Sequence, residues 1–143
     1  MPMLRAFVIV LLGAVAVAGC GNDTTTSPTT TEVTRGTEVF GGTLGIGDSQ
    51  FWSFTAVSPG TTDVTLVSLR PAGTSTTTFN TVVGLGLGIP QATDCALSNA
   101  TNTTPGLKTQ LTVATNVSTY CIKIADVGNL TTTVDYTIRV VHP

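Results

Sequence analysis

Apolar and polar residues alternate along most of the second half of this chain, with the two-residue period of strands that bury one face. The clearest run is residues 134–140, where Val134, Tyr136, Ile138 and Val140 share one side and Asp135, Thr137 and Arg139 the other. In residues 82–89, Val83, Leu85, Leu87 and Ile89 point one way, and Val82, Gly84, Gly86 and Gly88 the other. Tyr120, Ile122 and Ile124 alternate with Cys121 and Lys123. Residues 50–56 set Gln50, Trp52, Phe54 and Ala56 against Phe51, Ser53 and Thr55. In residues 63–69, Val64 and Leu66 lie opposite Val67 and Leu69. Residues 38–44 predict a first strand weakened by Gly41 and Gly42, and Gly106 opens another with Leu107, Leu111 and Val113. Gly45-Ile46-Gly47-Asp48, Ser58-Pro59-Gly60 and Asp126-Val127-Gly128-Asn129 carry turn chemistry. Residues 70–80 and 90–105 read as polar loops, the second holding Cys95. About seven or eight short strands, with no helical period after residue 36, predict an all-β fold: an antiparallel β-sandwich.

The start of the chain follows another pattern. Behind Arg5, residues 6–18 are uniformly apolar. That run suits the helical core of an export signal and is too short to span a bilayer, which takes ~20 residues. It closes on Val17-Ala18-Gly19-Cys20, which resembles the lipobox of bacterial lipoproteins. The resemblance implies cleavage after Gly19 and a diacylglycerol thioether on Cys20, whose thiolate is the nucleophile. Two or more acyl chains on one residue hold a protein at a membrane, where one alone is marginal. Residues 21–34 are rich in Thr, show no apolar period and cannot bury enough surface to offset ordering entropy, so a disordered linker is expected. The expected division is a signal peptide over 1–19, a lipidated Cys20 with a flexible Thr-rich linker over 20–35, and a β-sandwich domain over 36–143. The expected place is the bacterial cell envelope, on the exported side of its membrane.

Composition narrows the function. Charged residues make up only 10% of the 143, with six basic against eight acidic and a formal net charge of −2. No basic stripe exists, which argues against nucleic acid as a partner. Beyond Cys20, Cys95 and Cys121 form an even pair in an exported chain, which reads as one structural disulfide. Closing a loop of that size contributes about 3 kcal/mol in the chain-entropy account.

Candidate chemistry is sparse. The single histidine, His142, is the penultimate residue, on an end expected to fray, so a Ser-His-Asp set is not expected and the chain does not read as an enzyme. Cys, His, Asp and Glu do not cluster at metal-ligand spacing, so no metal or other cofactor is expected. Asp126 with Gly128 and Asn129 offers oxygens to calcium, but is turn chemistry first, and Asp48 after Gly47 reads the same way. Gly84 to Gly88 lacks the Lys-Ser/Thr and the helix of a phosphate loop. Its bare face has two readings: close approach of another backbone, or a shallow ligand platform. Trp52 also has two: a core residue, the commoner role for a lone Trp on an alternating strand, or a ligand platform on which a sugar stacks.

Phe51-Trp52-Ser53-Phe54 with Pro59-Gly60, Asp94-Cys95 with Tyr120-Cys121-Ile122-Lys123-Ile124, and Asp135-Tyr136-Thr137-Ile138-Arg139-Val140 resemble the aromatic strand, the disulfide-linked pair and the closing strand of the bacterial pre-peptidase C-terminal domain. That family is a small β-sandwich found on secreted enzymes. Where it often carries aspartates before the central strand, this chain has Val82, Val83 and Gly84, so their calcium or ligand role does not transfer. The function expected is a non-catalytic envelope lipoprotein, held to the membrane through Cys20, that binds an envelope protein or glycan or serves as an accessory module. A structural surface module without a specific ligand is the alternative, followed by a peptidase-associated factor.

Overall fold

Eight strands run in sequence order: β1 (Gly36–Leu44), β2 (Ser49–Ala56), β3 (Gly60–Pro71), β4 (Val83–Gln91), β5 (Asp94–Thr103), β6 (Leu111–Thr115), β7 (Ser118–Ala125) and β8 (Val134–His142). They come from a computed structural model that describes residues 32–74 and 76–143. The expected signal helix, Cys20 and nearly all of the Thr-rich linker lie outside the described residues. The strands form two antiparallel four-stranded sheets, ordered β1-β8-β3-β6 and β2-β7-β4-β5. This is the expected all-β sandwich.

The core lies between the sheets and is built by the alternation in the sequence. Leu44, Val64, Leu66, Val134, Ile138 and Val140 from one sheet meet Phe54, Val83, Leu85, Leu87, Ile122 and Ile124 from the other, all buried. Each fully buried side chain of this size contributes about 1.5–3 kcal/mol relative to exposure.

Three local departures from strict alternation follow from strand geometry. In β3 the register with β8 shifts between Leu66 and Ser68. Val67 is the extra residue of that bulge, so Leu69 returns to the core beside Val64 and Leu66 instead of facing away from them. In β4, Ile89 shares the parity of Leu85 and Leu87 but is exposed, because β4 has run past Gly88, its last residue paired with β7. Leu107 is exposed ahead of β6, which begins only at Leu111. In between, the Gly106 and Gln110 amides donate to the Leu66 and Val64 carbonyls.

Two stretches expected to be irregular are ordered strand. Residues 90–105 are not a loop: β4 continues to Gln91, and β5 pairs with it from Asp94 to Thr103. The segment Asp-Cys-Ala-Leu-Ser-Asn-Ala-Thr-Asn-Thr has no period because it is an edge strand with most of both faces in solvent. The C-terminus does not fray. His142 pairs with Gly36, and the Pro143 carbonyl accepts from the Val57 amide at 3.0 Å.

Turns gather at two poles. Residues 45–48, 72–74, 76–82 and 126–133 lie at one; residues 32–35, 57–59, 92–93, 116–117 and Pro143 lie at the other. At the second pole the Arg35 guanidinium donates to the Thr61 and Val141 carbonyls at 2.8 and 3.0 Å and to Asp63 at 2.7 Å. Thr112 also donates to Asp63, at 2.7 Å. Burial pushes the Asp63 carboxyl up, but the bonds from Arg35 and Thr112 outweigh it and hold the group below the ordinary carboxylate range.

Candidate binding surface

The glycine face of β4 lies on the outside of the β2-β7-β4-β5 sheet, and its three glycines meet three surroundings. Register places Gly84 between Ala125 and Asn102, Gly86 between Lys123 and Ala100, and Gly88 between Cys121 and Leu97. At Gly88 the β5 backbone crosses β4 so closely that an added Cβ would fall 1.9 Å from the Ala96 carbonyl oxygen. Only glycine fits there. The crossing brings Cys95 over to Cys121, two strands away, and the two form the expected disulfide with Cα atoms 5.9 Å apart. Both sulfur-bearing residues are buried beneath this crossing. Next to it the Lys123 ammonium donates to Asp94 Oδ1 at 2.7 Å, a second link from β7 to β5. Lys123, and then the Cys95 amide, hold the Asp94 carboxyl below its ordinary range.

Towards the first pole the glycine face opens. A Cβ at Gly86 would meet the Leu97 side chain at 2.7 Å, and one at Gly84 would meet Val127 Cγ1 at 3.2 Å. Those side chains lean over the glycines, yet each remains more than two-fifths exposed. Between them lies a groove of about 290 Å³. Gly84 and Gly86 form its floor; Leu97, Ala100, Ala125 and Val127 supply apolar walls; Thr101, Asn102 and Lys123 are its polar margin. Both readings of the glycine face therefore apply, each to a different part: close backbone approach at Gly88, a side-chain cover from Leu97 over the buried Gly86, and an open depression towards Gly84.

Trp52 sits on the opposite flank. It shares the inward parity of Phe54, but β2 is an edge strand, so the indole reaches the seam between the sheets and stays 41% exposed. One ring face stacks on Phe40 of β1, centroids 5.9 Å apart, and Nε1 donates to the Tyr136 hydroxyl at 2.9 Å. Gly42 leaves room for that tyrosine: a Cβ there would lie 2.9 Å from its hydroxyl oxygen. Burial pushes the Tyr136 phenol up, with the Trp52 bond acting the other way. Trp52 thus combines partial packing with a partly open ring.

Asp126 uses its oxygens on the backbone. Oδ1 accepts from the Gly128, Asn129 and Leu130 amides at 2.9–3.1 Å, and Oδ2 from the Gly47 amide at 2.8 Å. The Gly47 bond foremost, against partial desolvation, and then the three loop amides hold its carboxyl below the ordinary range. This is the turn chemistry read from Asp126 and Gly128, and it also ties the β1–β2 turn to the β7–β8 loop. Among the described residues, no group of three or more Cys, His, Asp or Glu is placed to hold a metal. His142 packs on Phe54 with ring centroids 4.9 Å apart and bonds through Nε2 to Glu38 at 2.9 Å.

Sequence reasoning found the glycine face but missed Leu97, Ala100 and Val127 as walls. Val127 reads from sequence as a turn residue only, and β5 carries no strand signal. No family model matches the chain, and no curated protein matches it in sequence.

Proposed function

We propose that this chain is a lipid-anchored protein of the bacterial cell envelope, and that its β-sandwich is a non-catalytic module that binds another protein. The four residues ending in Cys20 support the anchor, and the Cys95–Cys121 disulfide suits a compartment outside the reducing cytosol. The observation that carries the binding role is the glycine-floored groove on the outer face of the β2-β7-β4-β5 sheet. Its walls are apolar and lack an aromatic ring, which favours a protein side chain over a sugar. Trp52, with one ring face against Phe40, is the best support for the glycan reading. Resemblance alone supports an accessory role beside a peptidase.

Two measurements test this reading. Mass spectrometry of the N-terminal peptide from the native host is expected to show residue 20 as the first residue, carrying two or three acyl chains. A free thiol at that position in a water-soluble product overturns the anchor. Affinity capture from envelope extracts with the intact protein is expected to enrich one protein; no enrichment favours a structural surface module instead.

A further inference from the structure

Resting on that reading, we infer that the partner binds as an extended segment, added as a fifth strand beside β5, with one long apolar side chain laid into the groove between Leu97 and Val127. Two independent features converge there. The first is the outer edge of β5, which pairs with no other strand among the described residues. From Cys95 to Thr103 it holds no charge and no proline, two of the devices that discourage strand addition; its bulge lies at Ser98, which leaves Asn99 to Thr103 as the regular stretch open to a new strand. The other edges are less available. β1 and β2 are drawn together at the Phe40–Trp52 stack, and β6 has only five residues.

The second feature is where the groove opens. A strand added to β5 places alternate side chains on the outer face, one strand width of ~5 Å from β5. The short side chain of Ala100 is the low point of the wall between that strand and Gly86. A side chain of Met or Phe length crosses it and packs against Leu97 and Val127. Charge points the same way. Lys123, the one charged group on the margin, is already neutralised by Asp94 at 2.7 Å, so an apolar side chain fits better than an acidic one.

A second copy of this chain fits less well. In self-pairing, β5 offers Ala100 and Asn102 to the facing groove, both too short to fill it, while Leu97 already leans over its own Gly86. The chain's own residues 21–31 contain only Gly, Asn, Asp, Thr, Ser and Pro, and hold nothing to fill it either.

The test uses the intact protein and fluorescent peptides of the form Lys-Thr-Val-Thr-X-Thr-Val-Thr-Lys, with X as Met, Phe, Ala or Asp, followed by anisotropy. The Met and Phe peptides are expected to bind at least tenfold more tightly than the Ala and Asp peptides. Ala100→Arg, at an exposed site and with folding checked by an unchanged melting temperature, is expected to remove that preference, and Val39→Arg on the other sheet to leave it intact. Amide exchange is expected to slow at alternate residues of β5 on binding. Absence of binding, equal binding for all X, or binding unchanged by Ala100→Arg overturns the strand-addition site, as does peptide-induced dimerisation through β5. A partner captured equally by the native protein and by Ala100→Arg keeps the binding module and overturns only this site.

Discussion

The two edges of the β2-β7-β4-β5 sheet are finished in opposite ways. On the β2 side, Trp52, Phe40 and Tyr136 fill the seam between the sheets with large rings and one hydrogen bond. On the β5 side the exposed residues are mostly Ala, Ser, Thr and Asn, with Leu97 the one large apolar side chain, and the strand is fastened by a disulfide and an ion pair that reach across β4. The contrast follows from area. Rings bury enough apolar surface to hold an edge by packing. Small and polar side chains do not, so β5 needs a covalent tie. What it gains is a shallow, open face where the other edge has a filled one.

The largest effect should come from cutting that tie. Replacing Cys95 and Cys121 together by serine should cost about 3 kcal/mol, given their separation of 26 residues, and should speed amide exchange in β5 far more than in β2. Equal loosening of both edges in urea and exchange experiments would remove the asymmetry. Gly88→Ala should come next, at about 2 kcal/mol, because the new Cβ collides with the Ala96 backbone and not with a side chain that can rotate away. Calorimetry of the intact protein checks this, and a neutral result would mean that the crossing of β5 over β4 is absent.

How much of this contrast was legible beforehand depends on how each residue is covered. Ile122, Ile124, Tyr136, Ile138 and Val140 lie on strands flanked on both sides, so their alternation reports the core directly. β5 lies at an edge, and its residues from Ala96 to Ala100 are all exposed, so no period marks it as a strand. The bulge at Val67 reverses the parity of Leu69, which a strict period cannot anticipate. The glycine face was visible as Gly84, Gly86 and Gly88. Which of them stay open depends on where β5 crosses, a long-range fact without local signal. The place of His142 beside the last residue predicts a frayed end, whereas β8 stays paired through it and its ring is held by Phe54 and Glu38.

Smaller perturbations separate the edges further. Trp52→Phe should cost about 1 kcal/mol, since it keeps a ring on Phe40 and deletes the bond to the Tyr136 hydroxyl. Chemical denaturation measures it, and no loss would mean that water replaces the indole without penalty.

The pH response should also differ between acid and alkali. Asp94 has a lowered folded pKa, so its contribution is complete above its unfolded value near 3.8 and is lost as pH falls through the folded value; acid should loosen the tie of β5 to β7, together with the β1–β2 turn that Asp126 holds. Tyr136 has a raised folded pKa, so its contribution is complete below about 10.0 and is lost as pH rises through the folded value; alkali should loosen the β2 side. NMR shifts across both ranges check this, and an alkaline transition that leaves Trp52 and Tyr136 unmoved would contradict it. Gly84→Ala should change stability by less than about 0.5 kcal/mol, because the Val127 side chain can yield, so only the depth of the groove changes.

The most direct test places a photo-crosslinking side chain at position 100 in living cells. The account predicts one discrete adduct with another envelope protein, absent when the same group stands at position 39 on the opposite sheet. No adduct at position 100, or the same adducts from both positions, would contradict a binding surface beside β5.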